Sequence, residues 1–328
     1  MRLAIFAYPG ALRMGIEGLR EIFELANRYG GAPRFTVRVF ERPAEQRRAL
    51  ATFLGRGGRS ASMVIVPPGR LTALDELGWS KLGAEVAHAH ACGWTVAAIC
   101  TGNFALAAAG VLRGRSATTH WGLEGEFKAH FPLVPLALER ILIDHRDVVS
   151  VGGLTAFIDF SLWLIAREAG RGLALLVARI LQVAPERQSQ LPWMELAAPA
   201  RPDDPTLKNL VRALDREPHA AWSTRRMAKL AGTTARTLER RFRAAMGTSP
   251  ARYLQERRLA LARRQLEDGA SVEQACAACG WSDLSSFVRL FKSRTGFTPA
   301  RYRAWTRGES GTRAKARLRG VAVEGAVK

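Results

Sequence analysis

The sequence Leu238-Glu-Arg-Arg-Phe242, four residues, Gly247-Thr-Ser-Pro250-Ala-Arg-Tyr253 returns 49 residues later as Phe287-Val-Arg-Leu-Phe291, four residues, Gly296-Phe-Thr-Pro299-Ala-Arg-Tyr302. A repeat of this kind obliges the chain to build one supersecondary unit twice. Ahead of each copy stand a short helical run, a glycine turn and a polar cap: Met227-Ala-Lys-Leu-Ala-Gly232-Thr-Thr234 and Ala275-Cys-Ala-Ala-Cys-Gly280-Trp-Ser282. Helix, tight turn, capped helix is the helix-turn-helix layout.

In each second helix the apolar residues sit four apart, Leu238/Phe242 and Phe287/Phe291, which pins one face inward and turns the polar residues out. Between the copies, Ala251–Glu267 predicts a joining helix about 25 Å long, enough to set the two outward faces roughly one DNA turn apart. Charge follows the same division. Residues 201–328 hold 27 Lys/Arg against 12 Asp/Glu, whereas residues 1–200 hold 22 against 17, so the net +20 belongs mainly to the C-terminal part. A folded basic surface binds polyanions by counterion release. A membrane-surface role fits less well, because no basic amphipathic helix carries a Trp/Phe face.

Residues 205–306, with the Tyr253…Arg258-Leu259…Ala262…Leu266 pattern of the joining helix, resemble the DNA-binding domain of the AraC/XylS family. By that resemblance the groove-facing residues are Arg236, Glu239 and Arg240 in the first copy and Leu284, Ser285, Ser286 and Arg289 in the second. Arginine can take guanine O6/N7 in a bidentate pair, and Glu239 can accept from cytosine N4. Arg241, Arg243, Lys292, Arg294 and Arg301 suit phosphate contacts.

The N-terminal part has a different grammar. Leu3–Ala7, Phe35–Phe40, Met63–Val66 and Trp94–Ile99 read as strands, alternating with helical patterns at Gly18–Tyr29 and Lys81–Ala91. That alternation predicts a parallel sheet wrapped by helices. Arg140–Gly152, with its Asp144-His-Arg-Asp147 turn, predicts a marginal hairpin, and Leu154–Ala169 and Leu173–Val183 predict two closing helices.

Ala98-Ile-Cys100-Thr-Gly102-Asn-Phe reads as strand, sharp turn and helix, the helix running over Asn103–Leu112. A cysteine at a helix N-terminus gains thiolate character from the dipole, and strand tips are where open α/β sheets bind ligands. Twenty residues on, Thr118-Thr-His-Trp121 places His120 at the end of a further predicted strand, so a Cys/His pair is a candidate. These residues, with Ala-Gly-Val-Leu-Arg-Gly-Arg and Phe-Pro, resemble the ThiJ/PfpI (class I glutamine-amidotransferase-like) domain in the GlxA-type form fused to an AraC module. The resemblance implies a flavodoxin-like fold over residues 1–185 and a pocket of Glu17, Pro68, Gly69, Cys100, Thr101 and His120.

Two features separate this chain from the enzymes of that group. Pro67-Pro68-Gly69 stands where Pro-Gly-Gly is usual, and proline has no N–H for an oxyanion site. The acid of the first loop is replaced by Gly15, with Glu17 displaced from it. The pocket is therefore read as a sensor site without catalytic residues, metal or cofactor; a PfpI-like cysteine hydrolase or hydratase tethered to DNA is the alternative.

Five of fifteen prolines fall between residues 184 and 205, which predicts a linker over 186–204 ahead of a helix-turn-helix domain over 205–307 and a basic disordered tail over 308–328. Cys276 and Cys279 lack a second pair or a nearby His and are read as buried thiols rather than zinc ligands; His88-Ala-His90 is read as part of a surface helix. Four irregularly spaced cysteines, a short N-terminal apolar run and no membrane-length segment predict a cytoplasmic protein. The expected partners are double-stranded promoter DNA, RNA polymerase, a second copy of the chain and a small effector, which the resemblance makes amino-acid- or amine-like.

Overall fold

The computed structural model describes residues 1–41, 44–55, 62–71, 78–184, 187, 189–194, 202 and 204–307. The chain forms two compact units that divide between Gln190 and Leu191. The predicted tail over 308–328 and most of the predicted linker lie outside the described residues.

The first unit is built on a six-stranded sheet. Its strands are β1 (Arg2–Phe6), β2 (Thr36–Phe40), β3 (Ser62–Val66), β4 (Thr95–Ile99), β5 (Leu142–Asp144) and β6 (Val148–Val151), in the order β2-β1-β3-β4-β6-β5. All pairings are parallel except that of the edge hairpin β5–β6. β3 and β4 are buried at every position, as continuous apolar runs covered on both faces must be. One face is covered by α1 (Arg13–Tyr29), α6 (Phe157–Ala169) and α7 (Arg171–Ile180), through Leu19, Phe23, Phe160 and Leu164. The other packs α2 (Arg47–Leu54), α3 (Trp79–Ala91), α4 (Asn103–Ala108) and α5 (Glu124–His130), where Phe104 stacks on Trp79 at 4.6 Å.

Because β1 is flanked by β2 on one side and β3 on the other, the chain reverses its winding direction there and opens a crevice at the strand tips. The predicted strand ending at His120 does not form. Ala117 makes only an isolated bridge to Leu136, and His120 instead caps a single 3₁₀ turn, Trp121–Leu123.

The second unit is helical: α8 (Pro205–Arg216), α9 (Thr224–Leu230), α10 (Ala235–Met246), α11 (Pro250–Glu267), α12 (Val272–Ala278), α13 (Leu284–Thr295) and α14 (Pro299–Thr306). Each opens on a side-chain cap, from Asp204, Ser223, Thr234, Ser249, Ser271, Asp283 and Thr298 in turn. Such caps satisfy orphan N–H groups and fix where helices start, which matters for elements as short as seven residues. α10 and α13 both end on left-handed glycines, Gly247 and Gly296. No helix among the described residues is long and apolar enough to cross a membrane.

His90 is not merely a surface residue. Its Nε2 lies 2.8 Å from Asp147, which Arg115 also grips at 2.9 Å. Burial pushes the Asp147 carboxyl up, but the Arg115 and His90 hydrogen bonds outweigh it and hold the group well below the usual carboxylate range. This stabilisation is present above the unfolded pKa and lost as pH falls through the depressed folded one. Asp147→Asn is expected to cost about 3 kcal/mol at pH 7, as for breaking a buried ion pair. In urea unfolding, its deficit against the parent chain should shrink below about pH 4.

Candidate functional site

At the tip of β4, Cys100 holds a φ of +57°, a left-handed conformation that a non-glycine residue keeps only when its surroundings impose it. The restraints converge on its carbonyl. Thr119 Oγ1 donates to it at 2.8 Å and Asn103 Nδ2 at 3.0 Å; Asn103 Nδ2 also reaches Val151 O at 2.8 Å. Gly102 allows this close turn, because a Cβ there would stand 2.8 Å from the Val66 carbonyl oxygen.

The loops at the tips of β1 and β3 are laced over this elbow. Leu12 N–H donates to Pro68 O, Arg70 N–H to Gly10 O and Tyr8 Oη to Pro67 O, at 2.8–3.0 Å. Gly69 N–H donates to Thr101 Oγ1 at 2.7 Å, and that hydroxyl lies 3.0 Å from Gly69 O. Both positions that might supply an oxyanion donor are thus closed: Pro68 has no N–H, and that of Gly69 is already engaged. The missing acid has a steric counterpart. A Cβ at Gly15 would meet the Pro68 ring at 2.7 Å, so the proline occupies the space a longer side chain would need.

The thiol is shielded from solvent. Cys100 is 4% exposed, and burial pushes its pKa from 9.0 up to about 11 against the opposing pull of the Thr101 backbone N–H. Burial therefore works against the thiolate that a helix start would favour, a helix terminus typically returning about 1 kcal/mol or less.

Of the six pocket residues read from the sequence, Pro68, Gly69, Cys100 and Thr101 come together, all buried. Glu17 does not join them. Its side chain is exposed on α1 and pairs with Arg20 at 2.9 Å. His120 is partly exposed; its Nδ1 accepts from Gly122 N–H at 3.1 Å, its ring packs on Trp121, and burial lowers its pKa. No hydrogen bond between His120 and Cys100 occurs among the described residues. The sequence reading missed Tyr8, Asn103 and Thr119, buried polar residues whose only signal is their position beside strand tips. A separate cleft of about 760 Å³ opens along β5, lined by Arg140, Leu142, Asp159, Trp163, Arg187 and Ser189 among others.

In the helical unit, α10 and α13 bury Leu238/Phe242 and Phe287/Phe291. Their opposite faces expose Arg236 and Arg240 in the first copy, and Leu284, Ser285, Ser286, Arg289 and Lys292 in the second. Arg236 and Arg240 make no hydrogen bond or ion pair among the described residues, so their guanidinium groups remain available. Glu239 is engaged with Arg243 at 3.0 Å and must release it to meet a base; Arg241 pairs with Asp204, and Arg289 donates to Ser286 Oγ at 3.1 Å. The two copies are fixed to one another. Arg258 of α11 donates to Pro218 O and Ala220 O at 2.8 and 2.9 Å, and a Cβ at Gly280 would stand 2.3 Å from His219 O. Cys276 and Cys279 are buried, and no cluster of metal-ligating side chains occurs among the described residues.

The helix-turn-helix domain family matches residues 227–304, and the DJ-1/PfpI family matches residues 58–167. The HTH-type transcriptional regulator CdhR of Pseudomonas aeruginosa is 32% identical over 216 residues, covering 65% of this chain and 63% of that protein. The HTH-type transcriptional regulator GlxA of Rhizobium meliloti is 30% identical over 213 residues, covering 64% and 65%. Isonitrile hydratase of Pseudomonas putida is 36% identical over 94 residues, 27% of this chain and 38% of that enzyme. The chain thus spans a little under two-thirds of the length of these two regulators.

Gly15→Ala should cost about 1–3 kcal/mol by overpacking against Pro68, despite alanine's better helix propensity; in a Pro68→Gly background the same change should become neutral or stabilising in thermal unfolding. In iodoacetamide labelling at pH 7.5 followed by mass spectrometry, exposed Cys92 should react first and Cys100 remain unmodified, with Cys100 labelling rising toward pH 11.

Proposed function

From a chain that joins a DJ-1/PfpI-family domain to an AraC-type helix-turn-helix domain, we propose a sequence-specific DNA-binding transcription regulator. The observation that carries this reading is the pair of duplicated helices, each with a buried inner face and exposed cationic or hydroxyl side chains on the other. Arg236, Arg240 and Arg289 are assigned to base edges, with Glu239, Ser285, Ser286 and Leu284 beside them. Arg243 and Lys292 are assigned to phosphates, which set register rather than sequence preference.

The α/β unit is proposed as the sensor, binding a small metabolite of amino-acid or amine type at the Cys100 crevice and changing how a dimer engages promoter DNA and RNA polymerase, as an activator in the cytoplasm. A ligand acts in this way only through different affinities for two states. The similarity to isonitrile hydratase supports a second reading, a cysteine enzyme fused to a DNA-binding module. Against it stand a protonated, buried thiol, a proline and an engaged amide where donors are needed, and a filled acid position.

Anisotropy titrations with a duplex from the chain's own promoter and a random duplex test the assignment. Arg240→Ala and Arg289→Ala should each weaken promoter binding by about 1–3 kcal/mol and erode the preference over random DNA. Lys292→Ala should weaken both duplexes alike and lower the salt slope by about one. Full retention of the promoter preference in the Arg240→Ala/Arg289→Ala double variant would show the reading to be wrong.

A further inference from the structure

The two helix-turn-helix copies share a backbone plan but not a charge. From its first cap to the end of its reading helix, the first copy (residues 223–246) holds seven Lys/Arg against one Asp/Glu, whereas the second (residues 271–295) holds three against two. Internal pairing leaves the difference standing. In the first copy Arg241 is neutralised by Asp204 and Arg243 by Glu239, and five exposed cations remain: Arg225, Arg226, Lys229, Arg236 and Arg240. Arg226 donates to Ala221 O at 2.9 Å and lies over the Trp222 ring at 4.3 Å, and neither contact cancels its charge. The other four make no hydrogen bond or ion pair among the described residues.

Arg225 and Lys229 stand four apart on α9 and so share a face. With Thr224, Thr233 and Thr234 they line a hollow of about 640 Å³ that runs up to Ala235, the residue before Arg236. Cations and hydroxyls around one concavity suit a phosphate diester, which accepts hydrogen bonds and carries negative charge. In the second copy the corresponding places hold Val272, Glu273, Ala277, Trp281 and Asp283. No cation remains at any of them, and two are carboxylates. Asp283 accepts from the Ser285 and Ser286 N–H groups at 3.2 and 2.8 Å, and hydrogen bonds from Ser286, its hydroxyl foremost, hold the carboxyl below its ordinary range. It stays ionised beside Leu284, Ser285 and Ser286, where it repels a phosphate rather than seating one.

We propose that the copies divide the work of holding DNA: the Arg225–Lys229 hollow of the first clamps the phosphate backbone and carries most of the sequence-independent grip, while the second, close to neutral, adds sequence preference and little grip. The division rests on the regulator reading and states which copy supplies which part of the affinity. Phosphate contacts release counterions whatever the sequence, so the clamp shows as salt dependence on any duplex. Base contacts show instead as the difference between promoter and random DNA.

The test is a salt series of anisotropy titrations with the full chain on a random duplex and on the promoter duplex. Arg225→Gln/Lys229→Gln should lower the slope of log affinity against log salt by about two on both duplexes. It should weaken both by roughly tenfold and leave the ratio between them unchanged. Arg289→Gln/Lys292→Gln should lower the slope by about one and cut the promoter preference by roughly tenfold. An unchanged slope in the first variant, or an equal fall in the second on random DNA, would overturn the clamp. Glutamine matches arginine and lysine in helix propensity, and thermal unfolding checks that each variant folds. Should the first double variant not fold, Lys229→Gln alone is read: a fall of about one supports the clamp and none refutes it. If the parent binds both duplexes equally, the regulator reading fails while the slopes still judge the clamp; a parent that binds neither sinks both.

Discussion

The burial of one aromatic pair, made twice, underlies the helical unit. Phe242 meets the Tyr253 ring at 5.6 Å and Phe291 meets Tyr302 at 5.5 Å, both edge-on. Each tyrosine hydroxyl then donates to a carboxylate, Asp215 in the first copy and Glu267 in the second. A ring with an apolar body and a satisfied polar tip is well suited to the boundary of a small core. It fixes the roll of α10 and α13, and the roll decides which side chains face outward. Every statement about what these helices can touch follows from that constraint.

The α/β unit is governed by a contest between two effects at one residue. The turn at Cys100 has the geometry that elsewhere exposes a nucleophile, and its positive φ is retained under restraint from Thr119 and Asn103. The loops above it are sealed by Tyr8, Pro68 and the Gly69–Thr101 pair, and sealing removes the solvation a thiolate requires. The elbow keeps its geometry while the space around its thiol is closed. The pairing of Gly15 with Pro68 shows how: a small residue and a rigid ring fill together what an acid and a glycine would otherwise share.

Much of this was legible in the sequence wherever a period or a run carries the signal. The 49-residue repeat, the all-apolar central strands and the capped starts of the short helices are local patterns, and the elements follow them closely. Legibility ended where a property belongs to the neighbourhood. The Thr118–His120 segment is β-rich but finds no continuous partner strand, so it stays irregular. Glu17 lies two positions from Gly15, enough on a helix to turn it toward Arg20 and solvent. Cys100 sits at a helix start as read, but its protonation is set by desolvation, which spacing does not encode. Gln190 lies amid prolines with no periodicity at all, and only the folded chain reveals the carbonyls that surround it.

The clamp of Arg258 on the Pro218–Ala220 loop, with Gly280 pressed against His219, turns the two helix-turn-helix copies into a caliper with one setting. On B-DNA each inserted base pair lengthens the track by about 3.4 Å and rotates the far groove by about 35°. On the regulator reading proposed above, a unit with both copies clamped in this way would absorb a poor base at one position more easily than such a shift. Under that proposal, operators would drift in letter far more readily than in length, and their spacing would be the better signature to search for.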